Sequence, residues 1–394
     1  MHYDAHNFSK GVERILGRVL KDRTIPKENR EAIARFKGFC VSEGLTMGRI
    51  YRYIYDLRRA SKMLGKTFDV ADQEDIRRIV SDMMDIRKYS DWTKRDFKVS
   101  LRKFYRWLRN DENPPEVSWY KTHMKNRVTR FPEDMLTEEE IKKLIENTRD
   151  VRYKAFIATI YESGCRIGEL LSLRLNQVKF DEYGAQLYVS GKTGFRRVRV
   201  ISSVPYLTEW INKHPLKDES KAYLWISYQN NPWSYGGVVM MLQRVAERAG
   251  IKKKVNPHNF RHSRATYLAN FLTEAQMKEF FGWVQGSDMA SIYVHLSGRD
   301  VDNALLKVYG IKNDNEKKES IFKPKECSRC QKVNQATNRF CLRCRTPLDE
   351  ESRAEIIKKG LERKQADKIM DDLLNDQEFR EILVKKIEMA KNKT

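Results

Sequence analysis

Moving a phosphodiester from one hydroxyl to another without a metal asks for three kinds of side chain. One attacks, a second set holds the non-bridging oxygens, and a third protonates the leaving oxygen. The planar fork of arginine matches two phosphate oxygens at once, and lysine or histidine can carry the proton. The chain offers candidates for each job. Arg166 lies in Gly164-Cys165-Arg166-Ile167-Gly168-Glu169-Leu170, at a predicted helix start, where free backbone N–H groups also favour anions. Lys192 sits in Gly191-Lys192-Thr193-Gly194, the tip of a predicted hairpin, from which a long cation can reach into a groove. His258-Asn259-Phe260-Arg261 places a histidine and an arginine three apart, on one side of a helical turn. Tyr293 follows in Ser291-Ile292-Tyr293-Val294-His295. Taken singly, each has an ordinary alternative: a surface arginine, a half-buried tyrosine. Gly191-Lys192-Thr193 is not a phosphate-binding P-loop, because position 186 is Gln where that motif needs glycine.

A second constellation is Cys327-x2-Cys330-x10-Cys341-x2-Cys344. Two CxxC pairs at short spacing point to a tetrahedral zinc site. Four cysteines leave no open position for water, so such a metal would be structural. Arg329, Lys332, Arg339, Arg343 and Arg345 surround it. The remaining cysteines, Cys40 and Cys165, stand alone in helical contexts where small buried thiols are ordinary.

The 394-residue chain carries 76 Lys and Arg against 54 Asp and Glu, a formal charge of +22. An excess this large points to a polyanion partner, nucleic acid before acidic membranes. No apolar run approaches the roughly 20 residues of a membrane span. Met1-His2-Tyr3-Asp4-Ala5 has no basic-then-apolar leader pattern. The expected location is therefore cytoplasmic and DNA-associated, with no membrane partner.

These residues need elements to position them. Helical spacing marks 28–40, 46–64, 72–87 and 93–109. In the last, Phe97, Leu101, Phe104 and Leu108 form a core stripe, while Lys94, Lys98, Arg102 and Arg106 recur every four residues, extended by Arg109. That row is a candidate phosphate-contacting face, with a solvated charged face as the alternative. Asn113-Pro114-Pro115 ends the helix. Residues 1–112 thus read as a helical domain and 113–132 as a linker. Thr137-Glu138-Glu139-Glu140 is a capping box that opens a second domain, 133–312. There a helix over 151–163 and another from Ile167 precede a hairpin of 186–190 and 196–201, and helices return from about 205. Residues 313–325 read as a linker, 326–348 as the cysteine module and 349–394 as a helical tail. The tail carries apolar pairs such as Ile356/Ile357 and Leu373/Leu374, a stripe suited to packing or self-association. The fold class is mainly α with a small β-sheet.

Taken in order, Arg166, Lys192, His258, Arg261, Trp283 and Tyr293 resemble the catalytic set of the tyrosine recombinases, the phage-type integrases. Pro257-His258-Asn259-Phe260-Arg261-His262 is similar to the family's second arginine motif. Phe281-Gly282-Trp283 is similar to its Leu-Gly-His string, with Trp as a variant. The resemblance spans roughly the first 310 residues. It implies a helical core-binding domain, a mixed α/β catalytic domain and double-stranded DNA held between them. It implies assembly to a dimer on each site and a tetramer in synapsis, and catalysis without a cofactor. Tyr293 would attack the phosphate and release a 5′-hydroxyl. Arg166 and Arg261 would clamp the oxygens and Lys192 would protonate the leaving group. His258 would help move the tyrosine proton, Trp283 would donate its N–H and pack the pocket, and Glu169 would orient Arg166 or His258. His262 and His295 are expected to be supporting residues, and Tyr309 and Tyr267 are rival nucleophiles. Trp283 and Tyr293 lie slightly further apart than in the family, so an insertion in that loop is expected. The zinc module and tail resemble appendages of some archaeal integrases. The segment Asp300–Tyr309, with Ala304, Leu305 and Val308, is expected to dock on a neighbouring protomer. The competing readings are a type IB topoisomerase and a non-catalytic DNA-binding zinc protein.

Overall fold

The structure, a computed structural model, describes residues 7–122, 134–191, 194–296 and 320–391, together with Asp4 and Tyr309. Lys192, residues 300–308 and the stretch 313–319 therefore lie outside the described residues. The chain divides into two compact units, Met1–Glu133 with Ser227–Val238, and Asp134–Ile226 with Val239–Thr394.

The first unit is helical: α1 (Phe8–Lys21), α2 (Lys27–Ser42), α3 (Met47–Leu64), α4 (Gln73–Asp85), α5 (Asp91–Arg109) and a short α6 (Pro115–Ser118). Four of these match the predicted helical stretches within a few residues. Helix α1 had not been expected, although its buried Val12, Ile15 and Val19 follow helical spacing. An aromatic cluster fills the core. Phe36, Phe68 and Phe104 are fully buried, and Phe104 meets Phe36 and Phe68 edge-on at 5.3 and 4.7 Å, an arrangement the ring quadrupole favours.

Two expectations change here. The segment from 113 is no open linker in its described part. Pro115 starts α6 at a position where its missing N–H costs nothing. Val117 and Tyr120 then enter the helical core, and the buried Glu116 accepts from Arg109 Nε at 2.7 Å. The basic row on α5 is also largely engaged by its own chain. Lys94 Nζ donates to Met84 O, and Lys98 lies over the Tyr120 ring at 5.8 Å. Arg102 donates to Val117 O and Tyr120 O, while Arg106 remains exposed, 3.9 Å from Glu112.

The second unit centres on α8 (Val151–Ser163), ten of whose 13 residues are buried. A helix apolar on all sides belongs in the middle, and α7 (Glu138–Glu146), α10 (Val204–Asn212) and α12 (Pro257–Leu268) pack around it. Thr137 caps α7 with the reciprocal Glu140 bond. The Asp150 carboxylate caps α8 by accepting from Arg152 N and Tyr153 N. After α9 (Ile167–Leu171) comes an antiparallel sheet of β1 (Val178–Asp181), β2 (Gly184–Gly191) and β3 (Gly194–Val200). Leu187 pairs with Val198, Val189 with Arg196 and Gly191 with Gly194. The expected hairpin is β2–β3, and β1 is an additional edge strand. The remaining elements are α11 (Tyr235–Arg248), α13 (Glu274–Phe281), α14 (Met289–Leu296), a two-stranded sheet of β4 (Lys325–Glu326) and β5 (Val333–Asn334), and the tail helices α15 (Glu350–Asn375) and α16 (Gln377–Lys391).

The cysteine module does not hang free. Tyr206 on α10 shares a 2.8 Å hydrogen bond with Thr337, and Gln335 Nε2 donates to Glu209 at 2.9 Å. Upstream, Ser320 Oγ and Ile321 N donate to the Glu138 carboxylate, and Phe322 packs on Tyr161. The expected linker of 313–325 is thus seated on α7 and α8 in its described part. The tail helices pack on each other and expose Ile356, Ile357, Leu361, Ile369 and Met370. Among the described residues, no helix is long and apolar enough to cross a membrane.

Candidate active site

The end of α8 sets the first residue. Gly164 adopts φ +55°, and a Cβ there would meet Phe281 at 2.4 Å, so only glycine allows the turn to close against α13. Cys165 and Arg166 follow in a tight bend, with Arg166 as the N-cap residue of α9. Its guanidinium donates through Nη1 to Glu169 Oε1 at 2.9 Å and through Nη2 to Gly282 O at 3.0 Å. Its backbone N–H donates to Glu169 Oε2 at 2.8 Å.

Glu169 is the anionic centre of the site. Its side chain is 3% exposed and ion-pairs with both Arg166 and Arg196, the latter at 2.7 Å. The hairpin backbone comes close as well, since a Cβ on Gly191 would lie 2.4 Å from Glu169 Oε1. Gly191, the last described residue before Lys192, is thus packed against the carboxylate.

Arg196 was not among the sequence-derived candidates. Its signal is strand alternation, because Arg196, Val198 and Val200 share the inward face of β3. An arginine on the apolar side of a strand is unusual enough to mark a site. Its Nε and Nη1 are buried and meet no hydrogen-bond partner among the described residues.

Arg261 comes from the middle of α12, whose N-terminus is capped by Asn256 accepting from Asn259 N. It is buried and forks onto two carbonyls, Gly164 O at 2.7 Å and Phe281 O at 2.6 Å. Burial, and then the neighbouring Arg166 charge, pull its acidity up, lowering the pKa to about 10. Arginine yields so far only where water is scarce and other cations are close. Arg166, Arg196 and Arg261 thus cluster near Glu169, which pairs with Arg166 and Arg196, an environment suited to an anion.

Tyr293 on α14 is almost wholly buried, at 3% exposure. The Trp283 ring lies parallel to it, 3° between planes and 5.5 Å between centroids. The tyrosine hydroxyl hydrogen-bonds His262 Nδ1. His258, expected to help move the tyrosine proton, contacts the His262 ring edge-on, 4.1 Å between centroids. His258 and His262 are four apart on one helix, hence stacked on one face; that spacing was the signal for His262. Trp283 also lies within 5.6 Å of the Arg261 guanidinium, linking the tyrosine to the arginines. Of the rival tyrosines, Tyr267 packs with Phe271 and Arg264, and Tyr309 is exposed. The described residues thus bring Arg166, Glu169, Arg261, Trp283 and Tyr293 into one neighbourhood, with His258 one ring removed.

The four cysteine sulfurs lie within 4.8 Å of one another. Cys327 and Cys344 are 3.5 Å apart, as are Cys330 and Cys341. A tetrahedron of thiolates around zinc has S···S edges of about 3.8 Å. Gln331 and Arg345 take positive φ just after each CxxC pair, folding the two turns toward one point. The residues fit a tetrahedral metal.

Residues 134–299 match the family model described as the phage integrase family. The chain is 27% identical over 212 residues to tyrosine recombinase XerC of Halalkalibacterium halodurans, covering 50% of this chain and 69% of that protein. It is 27% identical over 269 residues to a tyrosine recombinase of Thermosipho africanus, covering 65% and 91%. Among solved structures, a lambda integrase dimer bound to a COC′ core site superposes with TM-score 0.56 at 17% identity, over 73% of this chain and 82% of that one. The XerH site-specific recombinase bound to a palindromic difH substrate, a post-cleavage complex, superposes with TM-score 0.53 at 17% identity, over 79% and 97%. With the helical fold, the small sheet and the ordered arginine, histidine and tyrosine motifs already in place, residues 134–299 form a domain that matches the phage integrase family, and the chain is similar to the tyrosine recombinases.

Proposed function

We propose that this protein is a site-specific recombinase that cleaves and rejoins duplex DNA through a 3′-phosphotyrosyl bond to Tyr293. One observation carries the reading. The Trp283 ring stacks on Tyr293 and lies 5.6 Å from the buried Arg261 guanidinium, so it joins the tyrosine to the arginine cluster. A phosphate entering there would offset the burial, and then the neighbouring Arg166 charge, that lower the Arg261 pKa while coming within reach of a hydroxyl.

In this reading Tyr293 attacks phosphorus and the 5′-hydroxyl leaves. The new phosphodiester conserves the bond energy, so rejoining needs no nucleotide. Arg166 and Arg261 stabilise the charge that builds on the non-bridging oxygens, and Glu169 holds Arg166 in place. Lys192 protonates the leaving oxygen. Trp283 packs the tyrosine and presents its indole N–H, and His258 stands at the rim beside His262. The +22 charge supports contact with DNA phosphates, with Arg106 the exposed member of the α5 row. Assembly on DNA to a dimer and then a tetramer is inferred from lambda integrase, a dimer on a core site and a tetramer on a Holliday junction. Zinc, held by Cys327, Cys330, Cys341 and Cys344, would brace the C-terminal module, and its closed ligand set leaves it no part in the chemistry. The location expected for such a protein is the cytoplasm, on DNA.

The test is strand exchange. Target duplexes are captured covalently from a random-sequence pool, and two copies are placed on one plasmid. The parent protein should release a circle, and Tyr293→Phe should release none. Relaxation of supercoils without exchange would contradict the reading.

A further inference from the structure

A tyrosine hydroxyl with an ordinary pKa near 10 attacks poorly until a neighbour takes its proton. In this structure the neighbour is His262. Its Nδ1 hydrogen-bonds the Tyr293 hydroxyl, and its ring lies 5.7 Å from the phenol, tilted by 38°. His258 is exposed and contacts the His262 ring edge-on. Trp283 covers the tyrosine face, so the hydroxyl is directed by its histidine contact.

We propose that His262 is a catalytic residue, the group that takes the Tyr293 proton during cleavage and returns it during rejoining. The proposal rests on Tyr293 being the nucleophile. As the Tyr293 oxygen bonds phosphorus, its O–H bond breaks and the proton moves to His262 Nδ1. The bond from phosphorus to the 5′ oxygen breaks, and that oxygen takes a proton from a separate donor, Lys192 in the reading above. Rejoining runs the same transfers backward, so protons and electron pairs balance without a co-reactant. Acceptance at Nδ1 requires the imidazole hydrogen to sit on Nε2. His258, four residues earlier on the same face, backs the ring.

The test measures single-turnover adduct formation by the full chain on a captured target duplex. His262→Asn keeps a polar group near the Nδ1 position but cannot accept a proton. It should slow adduct formation by about 10²–10⁴-fold, with DNA affinity and thermal midpoint unchanged. Placing 3,5-difluorotyrosine at position 293, whose phenol is more acidic, should restore His262→Asn by about tenfold or more. The same substitution should do little for Lys192→Ala. A duplex with sulfur at the 5′ bridging position, which departs without a proton, should repair Lys192→Ala and leave His262→Asn slow. The proposal is overturned if His262→Asn cleaves at the parental rate, if fluorotyrosine fails to help it, or if the sulfur substrate repairs it. Fluorotyrosine rescue confined to His258→Asn would transfer the role to His258. An adduct in Tyr293→Phe would instead overturn the nucleophile assignment on which the proposal rests.

Discussion

Replacing Glu169 by Gln removes one negative charge and almost no volume, so it isolates what that charge does. Its carboxylate is 3% exposed and pairs with Arg166 at 2.9 Å and Arg196 at 2.7 Å. Arg166 is 35% exposed and can turn to water, so its share of the loss is about 1 kcal/mol or less. Arg196 is 11% exposed and already has two buried nitrogens without partners among the described residues. Stranding a buried charge costs about 3–5 kcal/mol, and Arg196 should contribute the lower end of that range. The expected loss is about 3–4 kcal/mol, which lowers the melting transition of the catalytic unit by roughly 6–16 °C for a unit of this size. The assay is thermal unfolding in phosphate-free buffer, run on Glu169→Gln, Arg196→Met and the double variant. The double variant should be more stable than Glu169→Gln alone, because the stranded cation is gone. Added inorganic phosphate should raise the midpoint of Glu169→Gln more than that of the parent. A midpoint for Glu169→Gln within about 1 °C of the parent, or a double variant no better than the single, would refute the reasoning.

Arg261→Lys retains the charge but loses the fork that reaches Gly164 O and Phe281 O; cleavage should fall about 10²–10³-fold with DNA binding retained in a mobility-shift assay. Gly164→Val puts a Cβ 2.4 Å from Phe281, a steric clash, with a φ that valine resists, so calorimetry should show a loss of about 2–4 kcal/mol. Chelation should melt the cysteine module, read by circular dichroism and by release of about one zinc per chain, while adduct formation at Tyr293 persists. Loss of adduct with chelator would show that the contacts of Gln335 and Thr337 with α10 transmit to the site.

The mainly helical fold with one small sheet was legible because its signals are local. The α5 stripe, the Thr137 capping box and the glycine-bounded hairpin each declare themselves within a few residues. The order of Arg166, His258, Arg261 and Tyr293 was equally readable as a pattern. What the pattern hid was direction. His258 and His262 lie on one helical face, and spacing alone does not say which ring faces the tyrosine; the packing of α14 against α12 decides it. Arg196 was hidden among the three arginines of β3, and only the strand's inward alternation separates it from Arg197 and Arg199. The basic row on α5 reads as an open face until α6 and the residues just after it offer carbonyls to Arg102. Helix α1 and strand β1 are short or interrupted by glycine and polar residues, so tertiary burial, rather than propensity, holds them in place.

The most direct measurement of the central claim is the chemical identity of the covalent adduct. A nicked duplex carrying a captured target traps the cleaved state, and peptide mapping by mass spectrometry then locates the attachment. The account predicts that Tyr293 carries the 3′ phosphate, that the released strand bears a free 5′-hydroxyl open to kinase labelling, and that Tyr293→Phe binds the duplex without forming an adduct. A 5′-phosphate linkage, or attachment at Tyr267, Tyr309 or any residue other than Tyr293, would contradict it.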